Sequence, residues 1–272
     1  MPRTDRLGIT VSLVLLGLAL SMLVQLPSRQ FAFEVLGSEL TLQFTGPTQL
    51  ALIMTALVCA GVDAIMRSHP RLHDRSLAYT TTFWVLPSLL TLASLILLNA
   101  LPWWGYQIVL IGLTGIVLSL VIVSQYHSLD TSSPRYRGAR LVLNAITYVS
   151  ALVLFVALYG PRLRSVISAT GVFLASSMLA LELLRSPEGE AGRTWFYAML
   201  AGTMMSELMW ALNYYSMEAR LGGTLLLLVF YTLTGLMQQH FWGRLTRRVV
   251  LEFGVVCAFG LVVVVGLARW LR

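Results

Sequence analysis

Glu207 lies inside the apolar segment 194–216, with no arginine within a dozen residues on either side. An ionised carboxylate at the centre of a membrane helix costs roughly 2.5–3.5 kcal/mol on insertion scales. The expectation is therefore that Glu207 faces a bundle interior or a wet cavity. There it would bind a cation or polar headgroup, relay a proton, or clamp two helices by a hydrogen bond. Helical spacing puts Thr203, Trp210 and Tyr214 on its face, Asn213 lies near the end of the same segment, and methionines line it. Glu207, Thr203, Trp210, Asn213 and Tyr214 form the candidate ligand- or proton-binding site. Asn99, Asn144, Thr147 and Tyr148 are the polar side chains on other segments that could meet it.

The other acids near apolar segments have basic neighbours at helical spacing. Asp63 precedes Arg67 by four, Glu182 precedes Arg185 by three, and Glu252 follows Arg248 by four. Each pair can share a helix face and is expected to be a wet structural anchor at a membrane surface. His69, His73, His127 and His240 are weak metal candidates, because Pro70 interrupts the first pair and zinc needs near-tetrahedral convergence. No metal or other cofactor is expected. Arg71, Arg75, Arg135, Arg137, Arg244, Arg247 and Arg248 cluster in short connections and could contact anionic lipid headgroups. All nineteen basic residues are arginine. The absence of lysine excludes Schiff-base pigments, pyridoxal enzymes and Walker-type ATPases.

The elements that must carry these residues are membrane helices. The chain is 57% hydrophobic and 11% charged, with a mean hydropathy of +0.77, whereas soluble domains carry roughly 25% charged residues. Apolar segments run approximately 7–26, 48–66, 77–99, 104–126, 140–159, 165–184, 194–216, 222–240 and 249–268. Each is long enough to cross the bilayer as a helix, a crossing that takes about 20 residues. The expected fold is an all-α polytopic bundle of about nine transmembrane helices, making one domain over 1–272. Residues 1–26 read as a retained first span rather than a signal peptide, because the apolar run exceeds the usual length of about 7–15.

Counting arginines on alternate connections gives thirteen on the side of the N-terminus and six on the other. The positive-inside rule then puts the N-terminus inside and the C-terminus outside. This charge placement also argues against nucleic acid as a partner, despite a pI near 9.8. The expected partners are the lipid bilayer and other membrane subunits, in a cell membrane of the bacterial inner-membrane type.

Residues 31–44 alternate apolar and polar and predict an outer-surface β-hairpin. A two-residue turn at Gly37-Ser38 would pair Val35 with Leu40, Phe33 with Leu42 and Phe31 with Phe44. Ala56, Ala60 and Ala64, with Gly112/Gly115 and Gly254/Ala258, predict close helix packing, and Pro87 predicts a kink in the third segment. Cys59 and Cys257 lie in apolar segments and are expected to be buried free thiols.

Three functions remain open. The leading one is a non-catalytic scaffold or subunit of a membrane complex. The second is a small-molecule or proton-linked transporter built on Glu207. The third is a membrane-embedded enzyme acting on lipid at the cytoplasmic face, which ranks last because a catalytic site needs several convergent polar groups.

Overall fold

The computed structural model describes residues 4–23, 27, 29–35, 38–44, 46–68, 77–130, 132–161, 165–185, 191–215 and 217–270. In chain order the elements are α1 (Thr4–Leu23), β1 (Arg29–Val35), β2 (Ser38–Phe44), α2 (Gly46–Met66), α3 (Leu77–Thr80), α4 (Thr82–Ala100) and α5 (Trp104–His127), followed by α6 (Tyr136–Tyr159), α7 (Ser165–Leu184), α8 (Ala191–Leu212), α9 (Ala219–Phe241) and α10 (Arg247–Trp270). Among the described residues seven helices are long and apolar enough to cross a membrane: α1, α2, α4, α5, α6, α7 and α9. Their length and composition fit a membrane-spanning protein. The expected segment 194–216 forms α8, a helix of comparable length whose glutamate, hydroxyls and aromatic polar groups dilute its apolar character. The segment 249–268 forms α10, whose last side chains lie outside the described residues.

Helix starts follow the proline pattern. Pro47 falls in the first turn of α2, and Pro102 and Pro161 lie in the connections before α5 and α7, where a missing N–H costs nothing. The segment 77–99 is divided at Thr81, where the Thr82 hydroxyl donates to the Tyr79 carbonyl at 2.7 Å. Pro87 sits within α4, which runs on as α-helix.

The strands β1 and β2 pair antiparallel, with Phe31 opposite Leu42, Phe33 opposite Leu40 and Val35 opposite Ser38. This register is shifted by two residues from the one expected at Gly37-Ser38; residues 36 and 37 lie outside the described set. Side chains alternate with period two, so a two-residue shift keeps the apolar residues on one face, although Val35 now lies opposite Ser38 and Phe44 opposite Arg29. Both registers leave a two-residue connection, so they differ in where the turn falls and not in its length.

The chain divides into two compact units, one of residues 1–75 and 87–126, the other of residues 76–86 and 127–272. In the first unit α1 and α2 pack closely. Gly17 lies against Met54 and Gly61 against Thr10, and Arg6 donates to the Ala64 carbonyl at 2.9 Å. Cys59 lies 3.2 Å from the Ser88 hydroxyl, and Thr114 donates to Ser94 at 3.0 Å. The two cysteines are free and partly exposed.

Two of the expected small-residue contacts are corrected here. Ala56, Ala60 and Ala64 are exposed, and α2 instead buries Met54, Val58, Val62, Ile65 and Met66. Gly112 and Gly254 have open space where a side chain would sit, whereas Gly115 does meet Leu15. In the second unit α7 packs along α8 and α6 along α9, around Phe155, Leu179, Met205, Met209, Leu226 and Phe230. Phe155 and Phe230 meet edge to face at 5.6 Å, the favoured geometry for an aromatic pair.

Candidate functional site

The second unit positions the α8 residues. Near its middle, α8 crosses α7 so closely that a Cβ on Gly202 would strike the Ser177 hydroxyl and lie 2.8 Å from the Phe173 carbonyl oxygen. Small residues permit such an approach. At its end α8 leaves carbonyls without helical partners. The Tyr159 hydroxyl donates to the Tyr215 carbonyl at 2.9 Å, and the Asn213 amide donates to the Ser168 hydroxyl at 2.9 Å. These two bonds hold the α8 terminus on α6 and α7. The helix itself stops at Leu212, short of the expected 216. Glu207 is thereby five residues from the helix end, about 8 Å at 1.5 Å per residue, and not at mid-span.

Between α7 and α8 a groove of about 460 Å³ opens to the surface, a volume within the usual range for ligand sites, about 300–1,000 Å³. Ser165, Val166, Ala169, Thr170, Phe173, Thr203, Ser206 and Trp210 line it. Its hydroxyls are largely spent on their own helices. Thr170 donates to the Val166 carbonyl at 2.7 Å, Thr203 to Met199 at 3.0 Å and Ser206 to Thr203 at 2.8 Å. Back-bonding of this kind turns a nominally polar wall into an apolar one. The groove therefore accommodates a hydrocarbon group and offers little to a polar ligand.

Glu207 adjoins this groove, flanked on α8 by Thr203, Ser206 and Trp210. Thr203, Glu207, Trp210 and Tyr214 are all exposed. The sequence expectation of a bundle interior or wet cavity is thus corrected, because α8 turns its Met205 and Met209 face to the core. Among the described residues Glu207 makes no hydrogen bond or ion pair. Thr147 and Tyr148 look elsewhere: Thr147 donates to the Leu143 carbonyl, and Tyr148 shares a 3.1 Å hydrogen bond with Thr234. Asn99 donates to the Leu95 carbonyl on its own helix.

A second polar cluster is buried. Glu182 and Arg185 pair at 2.8 Å, with side chains 1% and 4% exposed. This is a dry pair, in contrast to the expected wet anchor. The Arg185 guanidinium lies 3.8 Å above the Phe83 ring, a favourable desolvated cation–π geometry. Arg140, from the first turns of α6, donates to the Leu183 carbonyl at 3.0 Å, as does Gln238 of α9. Cations and donors at a helix C-terminus satisfy orphan carbonyls and oppose the negative end of the helix dipole. The cluster ties Phe83, at the start of α4, to α6, α7 and α9 at one end of the second unit.

The family model for a protein of unknown function, DUF5656, matches residues 26–267. The chain belongs to this family. Family membership covers β1 through nearly all of α10, and so takes in the groove, Glu207 and the buried cluster. No curated protein and no solved structure matches the chain.

The remaining candidates scatter. Arg135, Arg137, Arg244, Arg247 and Arg248 are exposed, and Arg71, Arg75, His69 and His73 lie outside the described residues. His127 ends α5, and His240 packs beside Tyr197 with ring centres 5.8 Å apart. Among the described residues no three histidine, cysteine, aspartate or glutamate side chains cluster to hold a metal ion. The other two predicted ion pairs form, Asp63–Arg67 at 2.6 Å and Arg248–Glu252 at 3.2 Å.

Sequence reasoning missed the α7 wall of the groove, since Ala169 and Phe173 look like any other apolar helix residues. It also missed the role of Arg140. The apolar pattern puts that arginine at the edge of segment 140–159, and only the structure places it one turn inside α6.

Proposed function

We propose that this family member is a non-catalytic subunit or scaffold of a membrane complex, held in the cell membrane with its N-terminus inside and its C-terminus outside. On this reading residues 1–272 form one membrane domain, and the β1–β2 hairpin lies on the outer surface. The supporting observation is Glu207, exposed and without a partner among the described residues, on a helix that runs alongside the membrane-length α7. Hydrocarbon solvates a carboxylate poorly, so a polypeptide that covers this face removes a standing cost. Met199 and Met204 are also exposed on α8, and methionine adapts readily to a packed partner. The outward direction of Glu207 favours a contact surface over a transport pathway, which would need the acid to line an interior route. On this reading the exposed Arg135, Arg137, Arg244, Arg247 and Arg248 contact anionic headgroups on the inner side.

The test is protein mass after extraction from native membranes in mild detergent, measured by light scattering with the detergent contribution subtracted. The wild-type assembly should exceed the 30.1 kDa of one chain. Glu207→Gln should move the distribution toward that monomer value without loss of folded protein. A wild-type mass equal to one chain would sink the proposal.

A further inference from the structure

The groove and the carboxylate beside it describe the partner's chemistry. We infer that the α7–α8 face receives a transmembrane helix of a partner protein, which inserts an apolar side chain into the groove and sets a basic side chain against Glu207. This rests on the subunit reading above.

Three observations converge on it. The groove walls are effectively apolar because the hydroxyls of Thr170, Thr203 and Ser206 already donate to their own helices. A carboxylate adjoins the groove and pairs with no cation among the described residues. The depth matters too: Glu207 lies about 8 Å inside the end of α8 at 1.5 Å per residue. An amine-bearing lipid keeps its ammonium at the headgroup level, whereas Glu207 lies inside the end of α8, which favours a cation carried on a helix. A helix places a side chain at any depth. A second copy of this chain fits poorly, because the exposed arginines described here sit at helix ends or in connections, as Arg135, Arg193, Arg220 and Arg244 do.

The probe is a synthetic leucine-alanine helix of about 22 residues, carrying one arginine at the matching depth, with leucine and glutamate versions as comparisons. Binding to the full chain is read by energy transfer in phosphatidylcholine vesicles. Polar contacts between membrane helices contribute about 1–2 kcal/mol in model peptides, so the arginine peptide should bind wild type about tenfold more tightly than the leucine peptide. Glu207→Gln should erase that advantage, and Glu207→Lys should transfer it to the glutamate peptide. Ser206→Trp, which fills the groove, should weaken the arginine and leucine peptides alike.

Equal binding of the arginine and leucine peptides to wild type would overturn the inference, as would an advantage that survives Glu207→Gln. Displacement of the arginine peptide by added phosphatidylethanolamine would also overturn it, marking the groove as a lipid site. In any of these cases a native assembly still larger than one chain leaves the subunit reading standing, whereas a monomeric mass removes both.

Discussion

Glu182→Ala should lower the unfolding free energy by about 3–5 kcal/mol, the usual cost of removing one partner from a buried ion pair. The substitution leaves the Arg185 guanidinium, 4% exposed, without its carboxylate, in a cluster that also holds Arg140. Arg185 already has one buried nitrogen without a hydrogen-bond partner among the described residues, and the nitrogen that binds Glu182 would keep the Ser128 hydroxyl at 3.4 Å. Glu182→Gln should cost less, since an amide oxygen still accepts from Arg185 while the charge is gone. The double variant Glu182→Leu/Arg185→Leu should recover much of the stability, because replacing a whole buried pair with apolar groups is often neutral. Reversible unfolding in detergent, followed by tryptophan fluorescence, measures all three. A loss below about 1 kcal/mol for Glu182→Ala, the level of an exposed pair, would show that the cluster is hydrated.

Gly223→Leu should separate α6 from α9 and cost about 2–3 kcal/mol, the upper range for overpacking a well-packed site. A Cβ at Gly223 would strike the Val156 side chain and lie 2.8 Å from both the backbone nitrogen and the Cα of Val156. Backbone atoms cannot swing aside as the end of a flexible side chain can. Relief therefore requires moving a whole helix and loosening the Phe155–Phe230 contact. Even Gly223→Ala should destabilise. Gly112→Ala is the matched control, with nothing within 4 Å of its added Cβ. It should be neutral or slightly stabilising, by up to about 1 kcal/mol from helix propensity. Thermal midpoints of the three variants in one detergent decide the point, and similar midpoints for Gly223→Ala and Gly112→Ala would contradict the close α6–α9 crossing.

The contrast between these glycines shows where sequence information ends. Gly112, Gly115, Gly223 and Gly254 all lie in apolar helices, yet only some sit at a crossing. The same holds for the alanines of α2, whose four-residue spacing promised a packing ridge and whose face is exposed instead. In water, the apolar stripe of a helix marks its buried side. In a bilayer both the lipid-facing and the packed sides are apolar, so periodicity no longer tells them apart.

What the sequence determined by itself was therefore local. Apolar runs of sufficient length specified most helices, and alternation specified strands near 31–44. The i, i+3 and i, i+4 spacings specified the Asp63–Arg67, Glu182–Arg185 and Arg248–Glu252 pairs. The shared face of Thr203, Glu207, Trp210 and Tyr214 is of the same kind, since 3.6 residues per turn dictates it. Only the tertiary structure decided which way that face turns, where α8 stops, and that Arg140 joins Glu182 and Arg185 across more than forty residues. Those outcomes depend on which helices meet. Each is a competition between long-range contacts of nearly equal apolar surfaces, resolved by a few close crossings such as Gly202 on α7 and Gly223 on α6.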